Sequence, residues 1–189
     1  PQFAGKIFSE SQRLIDLVGD IIKISQLDED MLPFDREPVN LFGLTQEIVS
    51  RLQERADRKG ITIRLTGQQV MVNSVRQITD EVIYNLCDNA IKYNVQDGRV
   101  DIHIQMEQEQ AVLTVRDTGI GISPADQRRV FERFYRVDKS HSRAIGGTGL
   151  GLSIVKHAVA YHHGAIHLES EPGKGTVITV TLPKERPAD

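Results

Sequence analysis

Near the start of the chain, Ile7, Leu14, Leu17, Ile21 and Ile24 recur at spacings of three, four or seven, and Ile15, Val18 and Ile22 widen the stripe they make. Such a period marks the two seam positions of a helical heptad and predicts one long amphipathic helix from Ile7 to Leu27. Pro33 and Pro38 break the pattern. No neighbouring segment before them offers an apolar cover. The stripe therefore calls for a second helix, contributed by an upstream segment or another chain, ahead of the alternative in which it folds back on its own domain.

After Pro38 the pattern changes to short, alternating signals. Leu44, Ile48, Leu52 and Ala56 repeat every four residues up to Gly60, a helix with a glycine stop. Ile61, Ile63 and Leu65, then Val70 and Val72, predict two short strands. Residues 75–93 predict a third helix with Ile78, Val82, Leu86 and Ile91 on its buried side. Val100, Ile102, Ile104 and Met106 alternate, Glu107 to Gln110 turn, and Leu113 and Val115 continue, which predicts a hairpin. A glycine-punctuated stretch leads to an apolar helix from Leu150 to Tyr161. Ile166 and Leu168, the turn Glu-Pro-Gly-Lys-Gly and Val177 to Leu182 make a second hairpin. Clustered helices and paired strands imply an α+β fold, a two-layer α/β sandwich with helices on one face of a mixed sheet, preceded by the long helix. The boundaries read as 1–32 for the helix, 33–37 for a linker and 38–189 for the second domain.

Composition narrows the function classes. With 189 residues, 39% hydrophobic and 26% charged, the chain suits one ordinary domain plus an appended element. Lys+Arg 23 against Asp+Glu 26 gives a net charge of -3, which disfavours generic binding of nucleic acid or anionic membrane, so a polyanionic ligand needs a local site. Cys87 is the single cysteine, and no apolar run approaches the roughly 20 residues of a membrane span. These features point to a cytoplasmic setting, and the opening Pro-Gln-Phe, without an initiator Met, to a piece of a longer protein.

The long irregular segment between the first hairpin and the last helix reads as a ligand lid. It opens with Asp117-Thr118-Gly119-Ile120-Gly121-Ile122, a carboxylate at a strand end followed by two glycines. That carboxylate can accept a hydrogen bond from an exocyclic amine such as adenine's, or it can serve only an Asx turn. The segment closes with Gly146-Gly147-Thr148-Gly149-Leu150-Gly151-Leu152, running into a helix whose N-terminal amides suit phosphate, with a plain hinge as the alternative. It lacks the spacing of a Walker A loop. On the third helix Asn85, Asn89, Lys92 and Tyr93 lie near one edge. Amide oxygens suit Mg²⁺ and an ammonium suits phosphate, whereas helix caps or core hydrogen bonds would use the same residues structurally. Cys87 reads as a small core residue and Glu81 as a solvated or paired carboxylate.

Taken together, Asn85 to Asn94 (an Asn box), Asp117 to Ile122 (a first Gly box), Phe131 to Arg136 (a Phe box), Gly146 to Leu152 (a second Gly box) and Gly173 to Thr176 resemble, in order and spacing, the ATP-binding domain of sensor histidine kinases. That domain belongs to the wider group of gyrase, Hsp90 and MutL ATPase domains. The resemblance implies a Bergerat-type ATP-binding fold with ATP and Mg²⁺ as ligands. Residue by residue, it implies that Asp117 bonds the adenine amino group, that Asn89 and Asn85 hold Mg²⁺ and that Lys92 contacts phosphate. Asn85, Lys92, Arg133 and Arg136 would carry the transfer. Tyr93, Gly119, Gly121, Gly147, Thr148, Gly149, Leu150, Gly151 and Thr176 would line the nucleotide.

The first helix is similar to the second helix of the family's dimerisation and phosphoacceptor hairpin. In that family the acceptor is a His followed by an acidic residue on the preceding helix, and none of His103, His141, His157, His162, His163 and His167 is followed by Asp or Glu, so the resemblance implies an acceptor upstream. These histidines read as structural or solvated. The implied partners are a response-regulator receiver domain and a second copy of the parent, paired through the N-terminal helix, with any membrane contact confined to upstream segments. Asn85 stands where the group's ATPases carry a water-activating Glu, which favours transfer over hydrolysis. An ATP-sensing module and an ATP-hydrolysing clamp are the rival functions.

Overall fold

The apolar alternation from Val100 to Leu182 becomes the inner face of a five-stranded sheet. A computed structural model of the chain describes residues 2–28, 35–137 and 148–185. In chain order the elements are α1 (Gln2–Asp28), β1 (Glu37–Asn40), α2 (Leu41–Asp57), β2 (Thr62–Gly67), β3 (Met71–Ser74), α3 (Arg76–Lys92), β4 (Arg99–Glu107), β5 (Gln110–Asp117), a 3-10 turn (Arg129–Phe131), α4 (Gly151–Tyr161), β6 (Ala165–Glu171) and β7 (Gly175–Pro183). The strands run β2-β4-β5-β7-β6, with β2 parallel to β4 and every other pair antiparallel. Ile104 faces Leu113, which faces Val180, so the period-two pattern of three strands lands on one side. Leu44, Ile48 and Leu52 of α2, Ile78, Val82 and Leu86 of α3, and Val155, Ala158 and Val159 of α4 join them in one core. The predicted layering is thus present. The two short strands predicted between Ile61 and Val72 are also present but separate: β3 pairs with β1 in a small antiparallel sheet, while β2 joins the main one.

Local sequence explains the element ends. Asn40 caps α2 by accepting from Gly43 N at 3.1 Å, and Asp97, Gln108 and Glu109 take up positive φ at tight turns. Helices α2 and α3 run side by side and are joined by a series at i, i+4 spacing along α2 and into the turn that follows it. Glu47 bonds Arg76 at 2.7 Å, Arg51 bonds Asp80 at 2.6 Å, Arg55 bonds Asp88, and Lys59 Nζ donates to Lys92 O at 2.6 Å. Each exposed pair contributes little, about 0.2–1 kcal/mol, but together they fix the register of α3, the helix that bears Asn85 to Tyr93.

The N-terminal helix departs from the expected partnering in part. Along one edge it does fold back on its own domain: Ile24 is buried with Leu150 and Ile154, Leu27 joins the main core, Lys23 pairs with Glu81, and Thr148 Oγ1 donates to Asp20 Oδ2 at 3.1 Å. Its remaining stripe, Leu14, Ile15, Val18, Ile21 and Ile22, stays 43–64% exposed. The stripe is wide enough to serve both alternatives. Among the described residues no helix is long and apolar enough to cross a membrane.

Two buried groups are structural. Cys87 lies inside α3, where burial pushes its thiol pKa up to about 12, beyond reach of thiolate chemistry near neutrality. His162, just after α4, accepts from Val75 N at 3.2 Å through Nε2 and shares a 2.9 Å bond between Nδ1 and Ala158 O.

Candidate functional site

At the end of β5 the carboxylate of Asp117 is held by two amides. Oδ1 accepts from Gly119 N at 2.7 Å, the expected Asx turn, and from Thr176 N at 3.2 Å, which ties β5 to β7. Oδ2 accepts from no described residue, and Asp117 lines a cavity of about 300 Å³. Burial raises its carboxyl pKa, while the two amide bonds pull the other way.

Beyond Asp117 the chain passes between α3 and the β6–β7 turn. Ile120 N donates to Tyr93 O at 3.1 Å, and Gly173 N donates to Ile120 O at 2.8 Å. Gly121 sits at φ +68, where an added Cβ would lie 2.0 Å from the Glu171 carbonyl oxygen. Left-handed backbone and contact with main chain both exclude a side chain there. Gly121→Ala should therefore cost about 2–3 kcal/mol of stability, measured as a fall in thermal midpoint. An unchanged midpoint would show that the loop has room to shift.

The opposite wall is α3. Asn85 Nδ2 donates to Glu81 O at 2.9 Å, which leaves Oδ1 as an acceptor, and the Asn89 side chain bonds to no described residue. A Cβ on Gly151 would come within 2.8 Å of Asn85 Oδ1, so any side chain there would push the Asn85 amide from its place. Lys92 Nζ lies 5.3 Å from the centre of the Tyr93 ring. Burial lowers the Lys92 pKa from the usual lysine value; Asp88 opposes this, and Arg136, Arg55 and Lys59 add to it. Tyr93, at the C-cap of α3, has its phenol pKa raised, chiefly by burial. Thr148 Oγ1 accepts from Leu150 N at 3.3 Å, while α4 has no side-chain cap at its N-cap residue, so its first amides are available to an anion.

Of the residues singled out in the sequence, Asn85, Asn89, Lys92, Tyr93, Asp117, Gly121, Arg136, Thr148, Gly149, Gly151 and Thr176 line this one cavity. Three described ones do not. Gly119 turns its amide to Asp117, Leu150 is buried against Ile24, and Arg133 is exposed. Gly147 lies outside the described residues, as do Gly146 and His141, and the lid is described only as far as Val137. Phe131 is half-buried, whereas Phe134 is exposed at φ +64 and is not part of the apolar clusters among the described residues. The wall also contains Asp88 and Tyr135, which the sequence reading passed over, and Val115 and Ile178, the inward members of two alternating strands. A test of which alternating residues fall at strand ends would have found the latter pair.

The arrangement has two chemically distinct ends. An apolar slot with one carboxylate suits a heteroaromatic base bearing an amino group. Amide oxygens, an ammonium, a guanidinium and a helix N-terminus suit phosphates and a hard cation such as Mg²⁺. A net charge of -3 is compatible with this because the cations are gathered locally.

Residues 74–186 match the family described as "Histidine kinase-, DNA gyrase B-, and HSP90-like ATPase". The chain is 43% identical over 187 residues to the sensor-like histidine kinase SenX3 of Mycolicibacterium smegmatis, covering 97% of this chain and 48% of that protein. It is 38% identical over 193 residues to the sensor histidine kinase WalK of Bacillus subtilis, covering 100% of this chain and 32% of that one. The chain thus spans about half or less of the curated relatives it matches. Among solved structures it superposes on the mycobacterial sensor histidine kinase MprB with TM-score 0.70 and 30% identity, covering 80% of this chain and 99% of that one. It shares its fold with ShkA in complex with AMPPNP, with TM-score 0.83 and 24% identity, covering 100% of this chain and 39% of that one.

Proposed function

The chain belongs to the histidine kinase-, DNA gyrase B- and HSP90-like ATPase family, and on that premise we propose that it is the catalytic, ATP-binding part of a sensor histidine kinase. Its reaction is transfer of the ATP γ-phosphate to a histidine on an upstream helix, followed by relay to the receiver domain of a response regulator. The observation that carries this reading is the convergence of Asn85, Asn89, Lys92, Asp117, Arg136 and the start of α4 on one cavity. Asp117 bonds the base amino group through Oδ2. Lys92 and Arg136 offset phosphate charge, and the α4 amides orient the phosphate chain. Mg²⁺, held by the amide oxygens of Asn89 and Asn85, supplies further charge neutralisation when bound.

In the same reading residues 1–32 are the second helix of a dimerisation hairpin, 33–37 a linker and 38–189 the catalytic domain, on the cytoplasmic side of its parent. The exposed stripe from Leu14 to Ile22 supports pairing with a second copy. An ATP-hydrolysing clamp is disfavoured by a specific contact: Asn85 is no base, and the carboxylate one turn earlier, Glu81, is paired with Lys23.

With γ-labelled Mg-ATP, the 189-residue chain is expected to bind nucleotide without labelling itself. A longer chain that includes the upstream helix should become labelled with an acid-labile, base-stable phosphoramidate. Stoichiometric labelling of the shorter chain at one of its own histidines would overturn the placement of the acceptor upstream.

A further inference from the structure

Asp88 and Lys92 stand one turn apart on α3, and both line the cavity. Opposite charges at this spacing face each other on a helix and pair readily. Here they do not pair. Asp88 Oδ1 is bound instead by Nη1 of Arg55, reaching across from α2, and the Lys92 ammonium donates to no described residue, resting against the Tyr93 ring. Arg55 is held in place as a member of the Glu47, Arg51, Arg55, Lys59 series, whose neighbours grip α3 on either side. Asp88 is the only carboxylate three or four residues from Lys92 in either direction.

We infer that Arg55 is a positioning residue that occupies Asp88 and thereby keeps the Lys92 ammonium free for the phosphates of a bound nucleotide. The inference rests on the nucleotide reading of the site. Without Arg55, Asp88 has one cation within reach on its own helix, Lys92. Pairing would cancel the charge offered to phosphate, and the carboxylate, at the rim of the same cavity, would add repulsion. Adenosine, which carries the base but no phosphate, is indifferent to that exchange. A simple loosening of α2 against α3 would weaken both ligands alike.

Titration calorimetry with Mg-ADP, Mg-ATP and adenosine at low ionic strength separates these cases. Arg55→Ala should lose about fivefold in affinity for the two nucleotides, the upper range for a partly exposed charge pair, with adenosine unchanged. Arg55→Gln, which keeps the apolar stem over α2, should behave the same way. Asp88→Asn alone should bind nucleotide at least as well as the unaltered protein, and in the double variant it should restore what Arg55→Ala removed. Equal losses for adenosine and nucleotide, an Asp88→Asn variant as weak as Arg55→Ala, or a double variant without recovery would each overturn the inference. If the unaltered protein itself shows no preference for nucleotide over adenosine, the nucleotide reading falls, and this inference with it.

Discussion

Asp117→Asn is expected to lower ATP affinity by about 2–3 kcal/mol, roughly thirty- to 150-fold, while leaving the fold intact. The substituted amide keeps an oxygen that can accept from Gly119 N and Thr176 N, so the Asx turn and the tie between β5 and β7 survive. Those two bonds fix which end of the amide faces outward. The NH₂ then occupies the position of Oδ2 and meets the amino group of adenine donor to donor, leaving two buried polar groups unpaired. Asp117→Ala removes the structural bonds as well, so its thermal midpoint should fall where that of Asp117→Asn holds. The unaltered carboxylate should also discriminate: GTP, with a carbonyl at the corresponding position, presents acceptor to acceptor and should bind far more weakly than ATP. Because burial raises this carboxyl's pKa, ATP affinity should decline on acidification sooner than for an exposed aspartate. Calorimetry with ATP and GTP reads both effects, and comparable binding of the two by the unaltered protein would show that Asp117 does not read the base.

The second large effect concerns stability. The His162 ring is 3% exposed, with Nε2 accepting from Val75 N and Nδ1 bonded to Ala158 O, an arrangement open only to the neutral ring protonated at Nδ1. A second proton would collide with the Val75 amide donor and place a charge in the interior near Arg36 and His163. Burial accordingly lowers the pKa from 6.5 to about 4. Between those values the unfolded chain binds the proton and the folded chain does not. The contribution is therefore complete above about pH 6.5 and is lost as the pH falls toward 4, by about 3 kcal/mol in all. Urea denaturation at pH 7, 5.5 and 4.5 should show the decline, and His162→Gln, neutral throughout, should be less stable at pH 7 yet lose less on acidification. Parallel pH profiles for the two proteins would exclude His162 as the source.

How far the chain discloses itself depends on the range of the interaction concerned. Helix α3 and the β4–β5 hairpin follow from spacings within a dozen residues, so Asn85, Asn89, Lys92 and Asp117 could be placed on their elements from sequence alone. The parallel pairing of β2 with β4 has no such signature, because it joins strands on either side of α3 and is decided by packing. The pairing of Arg55 with Asp88 is equally silent: each reads as an ordinary surface charge on its own helix. The breadth of the α1 stripe was visible as Ile15, Val18 and Ile22, but which edge would rest on α4 depends on Ile24, Leu150 and Ile154 meeting across more than half the chain. Arg133 looked equivalent to Arg136 three residues on, yet the turn at Phe134 sends only Arg136 to the cavity.

The last strand in chain order, β7, lies between β5 and β6 rather than at an edge, and Thr176 reaches Asp117 across 59 positions of sequence. During synthesis α3 and the β4–β5 hairpin therefore leave the ribosome well before the floor of the cavity exists. Through that interval β5 is an unpaired apolar edge, the stage at which a nascent chain is most open to strand pairing with its neighbours. Nucleotide cannot rescue it then, because Thr176 and Ile178 have yet to arrive. The order of emergence thus makes ligand binding a late event in folding, and it makes mutations in the final hairpin costlier to cellular yield than their equilibrium effect on the finished domain would suggest.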